Sequence, residues 1–156
     1  MKIHETGASL RIGLARRPGE KTVFTNGVFD LLHPGHIQLL QFARSQGDLL
    51  VVGVNDDASV QRLKGEKRPI FPLGERMEIL AALECVDYVV PFSEDTPLQL
   101  IQALGKIDVL VKGGDYAPGE VVGRKEVEEW GGKLCLFRLA GDYSSSALID
   151  KIIKNF

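Results

Sequence analysis

The chain has 156 residues, 44% of them hydrophobic and 26% charged, enough for one domain with its own core and too few for two of ordinary size. A formal net charge of -2 provides no basic field for nucleic acid or an anionic membrane surface, so neither is expected as a partner. The two cysteines, Cys85 and Cys135, stand far apart and outside any CxxC or metal-ligand spacing, and read as small core residues in a reducing compartment. The N-terminus lacks the apolar core of a signal peptide and no apolar run reaches membrane-spanning length, so a cytoplasmic location is expected.

Residues 1–20 are polar and mixed, with Arg16-Arg17-Pro18-Gly19 near their end, and are expected to form an arm or short helix ahead of a single domain over 21–156. Thr22 to Thr25 reads as a first strand. A glycine-containing turn follows, then Pro34 opens a helix to about Gly47 with Ile37, Leu39, Leu40 and Ala43 as its apolar positions. Leu49 to Val54 is an unbroken apolar run, as in a strand buried on both faces. Asp56 and Asp57 open a short helix to about Leu63, and Leu73 to Glu84 is a clear helix. Tyr88 to Val90, Val109 to Val111 and Leu134 to Phe137 read as strands three to five. Pro97 to Leu104, Glu120 to Trp130 and Ser144 to Ile153 read as helices. Strand–helix alternation of this kind predicts an α/β fold: a single doubly wound, Rossmann-like five-stranded parallel sheet with helices on both faces and strand one central. Ligands bind such sheets beyond the carboxyl ends of the strands, where the strand order reverses.

The chemically suggestive residues cluster after strands. His33-Pro34-Gly35-His36 follows strand one at a helix start, where free N–H groups and the helix dipole favour an anion and two imidazoles can add donors. Asp30 is expected to order the turn before them. Lys112-Gly113-Gly114-Asp115 follows strand four, with Asp115 suited to ribose hydroxyls and Lys112 a nearby cation. Ser144-Ser145-Ser146 starts the last helix and suits helix capping or a terminal phosphate. Lys64-Gly65-Glu66-Lys67-Arg68-Pro69 is a solvated basic turn or a cationic loop over a triphosphate, and Arg76 is a surface ion pair or a bidentate phosphate clamp. His4 has no evident partner, and Trp130 suits packing against the sheet or an interface better than ligand binding.

The string Phe24-Thr25-Asn26-Gly27-Val28-Phe29-Asp30-Leu31-Leu32-His33-Pro34-Gly35-His36 resembles the cytidylyltransferase-like nucleotidyltransferases, whose signature is HxGH after the first strand. With Val54-Asn55-Asp56-Asp57-Ala58-Ser59-Val60, Leu63 to Pro69 and Val111 to Tyr116, the chain is most similar to the adenylyltransferase domain of ADP-heptose synthase. It departs from that pattern at Val28, where cysteine is frequent, and at Ala147, where asparagine is usual. Leu139 to Ser145 lacks the arginine that precedes the last helix in glycerol-phosphate and ethanolamine-phosphate cytidylyltransferases.

The resemblance implies AMP transfer from ATP to a sugar 1-phosphate, such as D-glycero-β-D-manno-heptose 1-phosphate, giving ADP-heptose and pyrophosphate for cell-surface polysaccharide. A cytidylyltransferase acting on glycerol 3-phosphate or a similar alcohol phosphate, and a non-catalytic nucleotide-binding module, are the alternatives. His33, His36 and Lys112 would serve catalysis. Thr25, Asn26, Gly27, Val28, Phe29, Lys64, Lys67, Arg76, Gly113, Asp115, Ser144 and Ser145 would hold the nucleotide. Mg²⁺ would come with ATP, held by phosphates and water rather than by a protein cage. Relatives carry a fused sugar kinase, so a separate kinase would supply the substrate, and a homodimer is implied.

Overall fold

The computed structural model describes residues 1–13 and 17–156, so part of the expected N-terminal arm, residues 14–16, lies outside the described residues. Its elements in chain order are α1 (Gly7–Gly13), β1 (Thr22–Gly27), α2 (Pro34–Ser45), β2 (Leu49–Asn55), α3 (Asp57–Lys64), α4 (Leu73–Ala82), β3 (Tyr88–Phe92), α5 (Leu98–Leu104), β4 (Val109–Gly113), α6 (Arg124–Glu129), β5 (Lys133–Phe137) and α7 (Ser145–Asn155). The five strands are all parallel in the order β3-β2-β1-β4-β5. β1 is therefore central, and the chain steps from it to β2 on one side and later to β4 on the other. This reversal opens a crevice above its C-terminal end.

Alternation along the strands sorts the core into two layers. Val23, Leu50, Val52, Val54, Val109 and Val111 face α2 and α4, packing with Leu40, Ala43, Met77 and Leu80. Phe24, Val51, Val90 and Leu110 face the other side, packing with Leu10, Ile101, Leu104 and Val127 from α1, α5 and α6. Trp130 packs at the margin of this second layer, and Cys85 and Cys135 at the margin of the first, as free thiols.

One expectation changes. The helix read from Glu120 to Trp130 is a 3-10 turn at Pro118–Glu120, then α6 from Arg124. Gly123 separates them at φ 90°, and a Cβ there would collide with Ile101 Cδ1, so the break both bends the chain and admits close packing. The N-terminal segment is docked along the β3 edge: Val89 N donates to Lys2 O (2.9 Å) and His4 N to Val89 O (3.0 Å), while Leu10 is fully buried. The His4 ring meets Tyr88 edge-on.

Candidate active site

The loop leaving β1 runs through an unfavourable backbone. Phe29 and Leu31 both sit at φ 51°, a region costing about 1 kcal/mol or more for a residue with a Cβ. Two buried charged groups hold it there. The Asp30 carboxylate, 1% exposed, accepts from Arg68 Nε (2.9 Å), Ile70 N (2.8 Å) and Phe71 N (3.0 Å). Burial alone would raise the Asp30 pKa, but the Phe71 and Ile70 amides and the Arg68 guanidinium outweigh it and hold the carboxyl below its ordinary value. Its carboxylate thus reaches past its own turn to fix the loop before α4, and its carbonyl accepts from Ser145 Oγ at the start of α7.

Arg76 is the second buried charge. Its guanidinium, 0% exposed, donates to Phe71 O (2.9 Å), Val28 O (2.7 Å), Asn55 O (2.8 Å) and Asp57 Oδ1 (2.7 Å). This corrects the expectation that Arg76 balances a triphosphate. Every side-chain nitrogen is committed to the protein, and Arg76 lies on the buried face of α4 beside Met77 and Leu80.

The histidines stand at the first turn of α2. His33 is its N-cap, Pro34 takes the position that needs no N–H, and His33 N approaches His36 Nδ1 at 3.4 Å. That contact places the neutral His36 proton on Nε2. The two rings stack with centroids 3.8 Å apart, between Phe29 on one side and Tyr143 on the other. Burial, then the charge of His33, push the His36 pKa down to about 4 against an opposing pull from Asp30. Burial also lowers His33, whose Nδ1 is enclosed with no partner. Both imidazoles are therefore neutral near pH 7.

These groups border a cleft of about 320 Å³ on the α2 side of the sheet. It brings together the expected Asn26, Gly27, Val28, Phe29, His33, His36, Lys64, Gly113, Ser144 and Ser145. Arg68 joins them from the basic loop, and Leu139 and Tyr143 join without having been assigned a role from the sequence; the position of Tyr143 before the serine run was the available signal. A second cleft, about 310 Å³, opens on the α5 side and shares Asn26, Gly27 and Val28 with the first. It adds Asn55, Asp95, Thr96, Lys112, Tyr116 and Glu120.

Lys112, expected as a catalytic cation, borders this second cleft and not the first. β4 continues to Gly113, and strand alternation turns Lys112 and Gly113 to opposite faces. Burial lowers the Lys112 pKa, and its Nζ lies 5.4 Å from the Tyr116 ring centroid. Asp115 and Lys67 are exposed and border neither cleft, while Thr25 is buried in β1 with an unpartnered hydroxyl. Among the described residues, no group of His, Cys, Asp or Glu could cage a metal ion, and the one carboxylate at the first cleft, Asp30, is already engaged. No described helix is long and apolar enough to cross a membrane.

Residues 24–146 match the cytidylyltransferase-like family, across both clefts and the histidine turn. The chain belongs to this family. It is 58% identical over 138 residues to the bifunctional protein HldE of Citrifermentans bemidjiense, covering 88% of this chain and 28% of that protein. HldE of Geobacter sulfurreducens is 55% identical over 145 residues, 93% of this chain and 29% of that protein. The chain thus spans under a third of the length of these relatives. Among solved structures, a lipopolysaccharide core biosynthesis protein from Thermoplasma volcanium is 28% identical with a TM-score of 0.64, covering 80% of this chain and 100% of that one. Pantoate-beta-alanine ligase from Francisella tularensis, 18% identical with a TM-score of 0.66 over 99% of this chain and 78% of its own, shares the fold.

Proposed function

We propose that this chain transfers AMP from ATP to a sugar 1-phosphate, D-glycero-β-D-manno-heptose 1-phosphate, releasing pyrophosphate and forming ADP-heptose. The observation that carries this reading is the meeting of two clefts at the Asn26–Val28 backbone, one holding the stacked histidines and the other Lys112. The likeness to HldE over most of this chain supports the sugar assignment.

In this reading the first cleft takes ATP. Neutral His33 and His36 donate N–H groups toward the α- and β-phosphates, and Ser144 and Ser145 take the terminal phosphate at the start of α7. Lys64 and Arg68 neutralise charge from the loop that Asp30 holds. The second cleft takes the sugar phosphate, with Lys112 facing its phosphate and Asn55, Asp95 and Glu120 offering partners to hydroxyls. An acceptor phosphate oxygen attacks the α-phosphorus, and the bond from that phosphorus to the β-phosphate bridging oxygen breaks. The acceptor is already ionised, so the site needs no general base; it aligns the reactants and stabilises developing charge. Mg²⁺, when it accompanies the triphosphate, supplies charge neutralisation and is held by phosphates and water. The sugar phosphate is the product of a sugar kinase, and the enzyme works in the cytoplasm as a homodimer.

The test is pyrophosphate release with Mg²⁺, offering ATP or CTP against heptose 1-phosphate or glycerol 3-phosphate. Turnover with ATP and heptose 1-phosphate is expected. Turnover only with CTP would replace the substrate assignment and keep the histidine roles. ATP binding with no turnover would make the chain a nucleotide-binding module.

A further inference from the structure

We propose that Arg76 is a positioning residue for catalysis. Its buried guanidinium holds the Val28 carbonyl so that the Phe29 N–H faces the histidine cleft as a donor to a phosphate oxygen. The identity of that anion rests on the function proposed above.

Arg76 is the largest fully buried side chain among the described residues, and burying a guanidinium is costly unless it is paired and hydrogen-bonded. Stapling α4 to the sheet needs no charge there, since Met77 and Leu80 already do it with apolar surface. What an aliphatic side chain could not do is grip main-chain carbonyls. Arg76 Nη1 bonds both Val28 O (2.7 Å) and Asn55 O (2.8 Å), joining the exit of β1 to the end of β2 at the wall between the clefts. The Val28–Phe29 peptide is trans, so its N–H points opposite to its carbonyl. With the carbonyl turned into the guanidinium, the Phe29 N–H is turned away from it, and Val28 and Phe29 line the first cleft. Phe29 is 4% exposed, and among the described residues no acceptor takes up its N–H. A main-chain N–H turned into the cleft without a protein partner is an open donor, and an incoming phosphate oxygen would take it up. The positive φ of Phe29 is the backbone cost of this orientation, and the Arg76 bonds offset it.

The test combines NMR and kinetics on the full chain, ¹⁵N-labelled at phenylalanine. α,β-methylene-ATP, which cannot be cleaved at the α-phosphorus, serves as the probe. In the wild type the Phe29 amide proton is expected to move downfield on saturation. In Arg76→Lys, which keeps the charge and loses the fork, the shift should be absent. Its kcat for pyrophosphate release should fall ~100- to 1,000-fold, the range for losing one oriented donor, with KM for ATP changed far less. Asp57→Asn keeps the carbonyl contacts and should retain both the Phe29 shift and kcat while lowering Tm.

A wild-type Phe29 amide that does not respond to the probe overturns the proposal whether or not the variants fold. So does an Arg76→Lys protein that keeps the shift and loses only Tm. A wild type that binds the probe through Phe29 yet releases no pyrophosphate removes the adenylyltransferase reading and leaves Arg76 orienting the Phe29 N–H for anion binding alone.

Discussion

Acidification from pH 7 to pH 5 tests the environment of His36 directly. Its ring is enclosed by His33 and Phe29, and burial, then the His33 charge, bring its pKa to about 4 in the folded protein. In the unfolded chain it titrates near about 6.5. Between those values the unfolded state binds a proton that the folded state refuses. Stability is therefore full above about pH 6.5 and falls as the pH drops toward 4, where the loss levels off. A shift of this size removes about 2 kcal/mol between pH 7 and pH 5 for a fully enclosed ring, and about 1 kcal/mol once partial solvent access is allowed for. Urea titrations at both pH values, on the wild type and on His36→Gln, measure it. The wild type should lose about 1 kcal/mol more than the variant on acidification. Equal losses would refute a half-buried, neutral His36, and with it the view that the pair meets the triphosphate as neutral donors.

Three further outcomes are expected. His36→Ala should fold with an unchanged circular dichroism spectrum and lose on the order of a hundredfold or more in pyrophosphate release; near-normal turnover would remove the histidine from the mechanism. Asp30→Asn should cost about 2–3 kcal/mol in urea denaturation, because Arg68 and two amides lose an ionised acceptor in a buried site, and it should speed proteolysis within residues 64–71. Lys112→Met should raise KM for the sugar phosphate by about tenfold or more through loss of a charge-assisted contact, leaving KM for ATP nearly unchanged; a larger effect on ATP would move Lys112 back to the nucleotide cleft.

Much of the architecture was legible because its signals are local. The apolar run of β2, the Pro34 helix start and the serine cap of α7 each follow from neighbouring residues, and alternation of strands with helices implies the parallel sheet. The break at Gly123 was not legible, because it depends on Ile101 from another element.

The histidine turn and the serine helix start could be placed at one sheet edge from sequence because a doubly wound sheet gathers the C-terminal ends of its strands. Sequence alone also carried an unread signal for Arg76: Leu73, Arg76, Met77 and Leu80 share one helical stripe, so position 76 falls on the buried face. What tertiary structure decided was where charge goes. Ending β4 at Val111 hid the parity that sends Lys112 to the second cleft and Gly113 to the first. Arg68 and Arg76 look like solvated or ligand-binding charges in a linear chain and Asp30 like a local turn residue, yet each meets partners tens of positions away. Local pattern determines which elements form, whereas the environment of a charge is a sum over contacts made only when those elements pack.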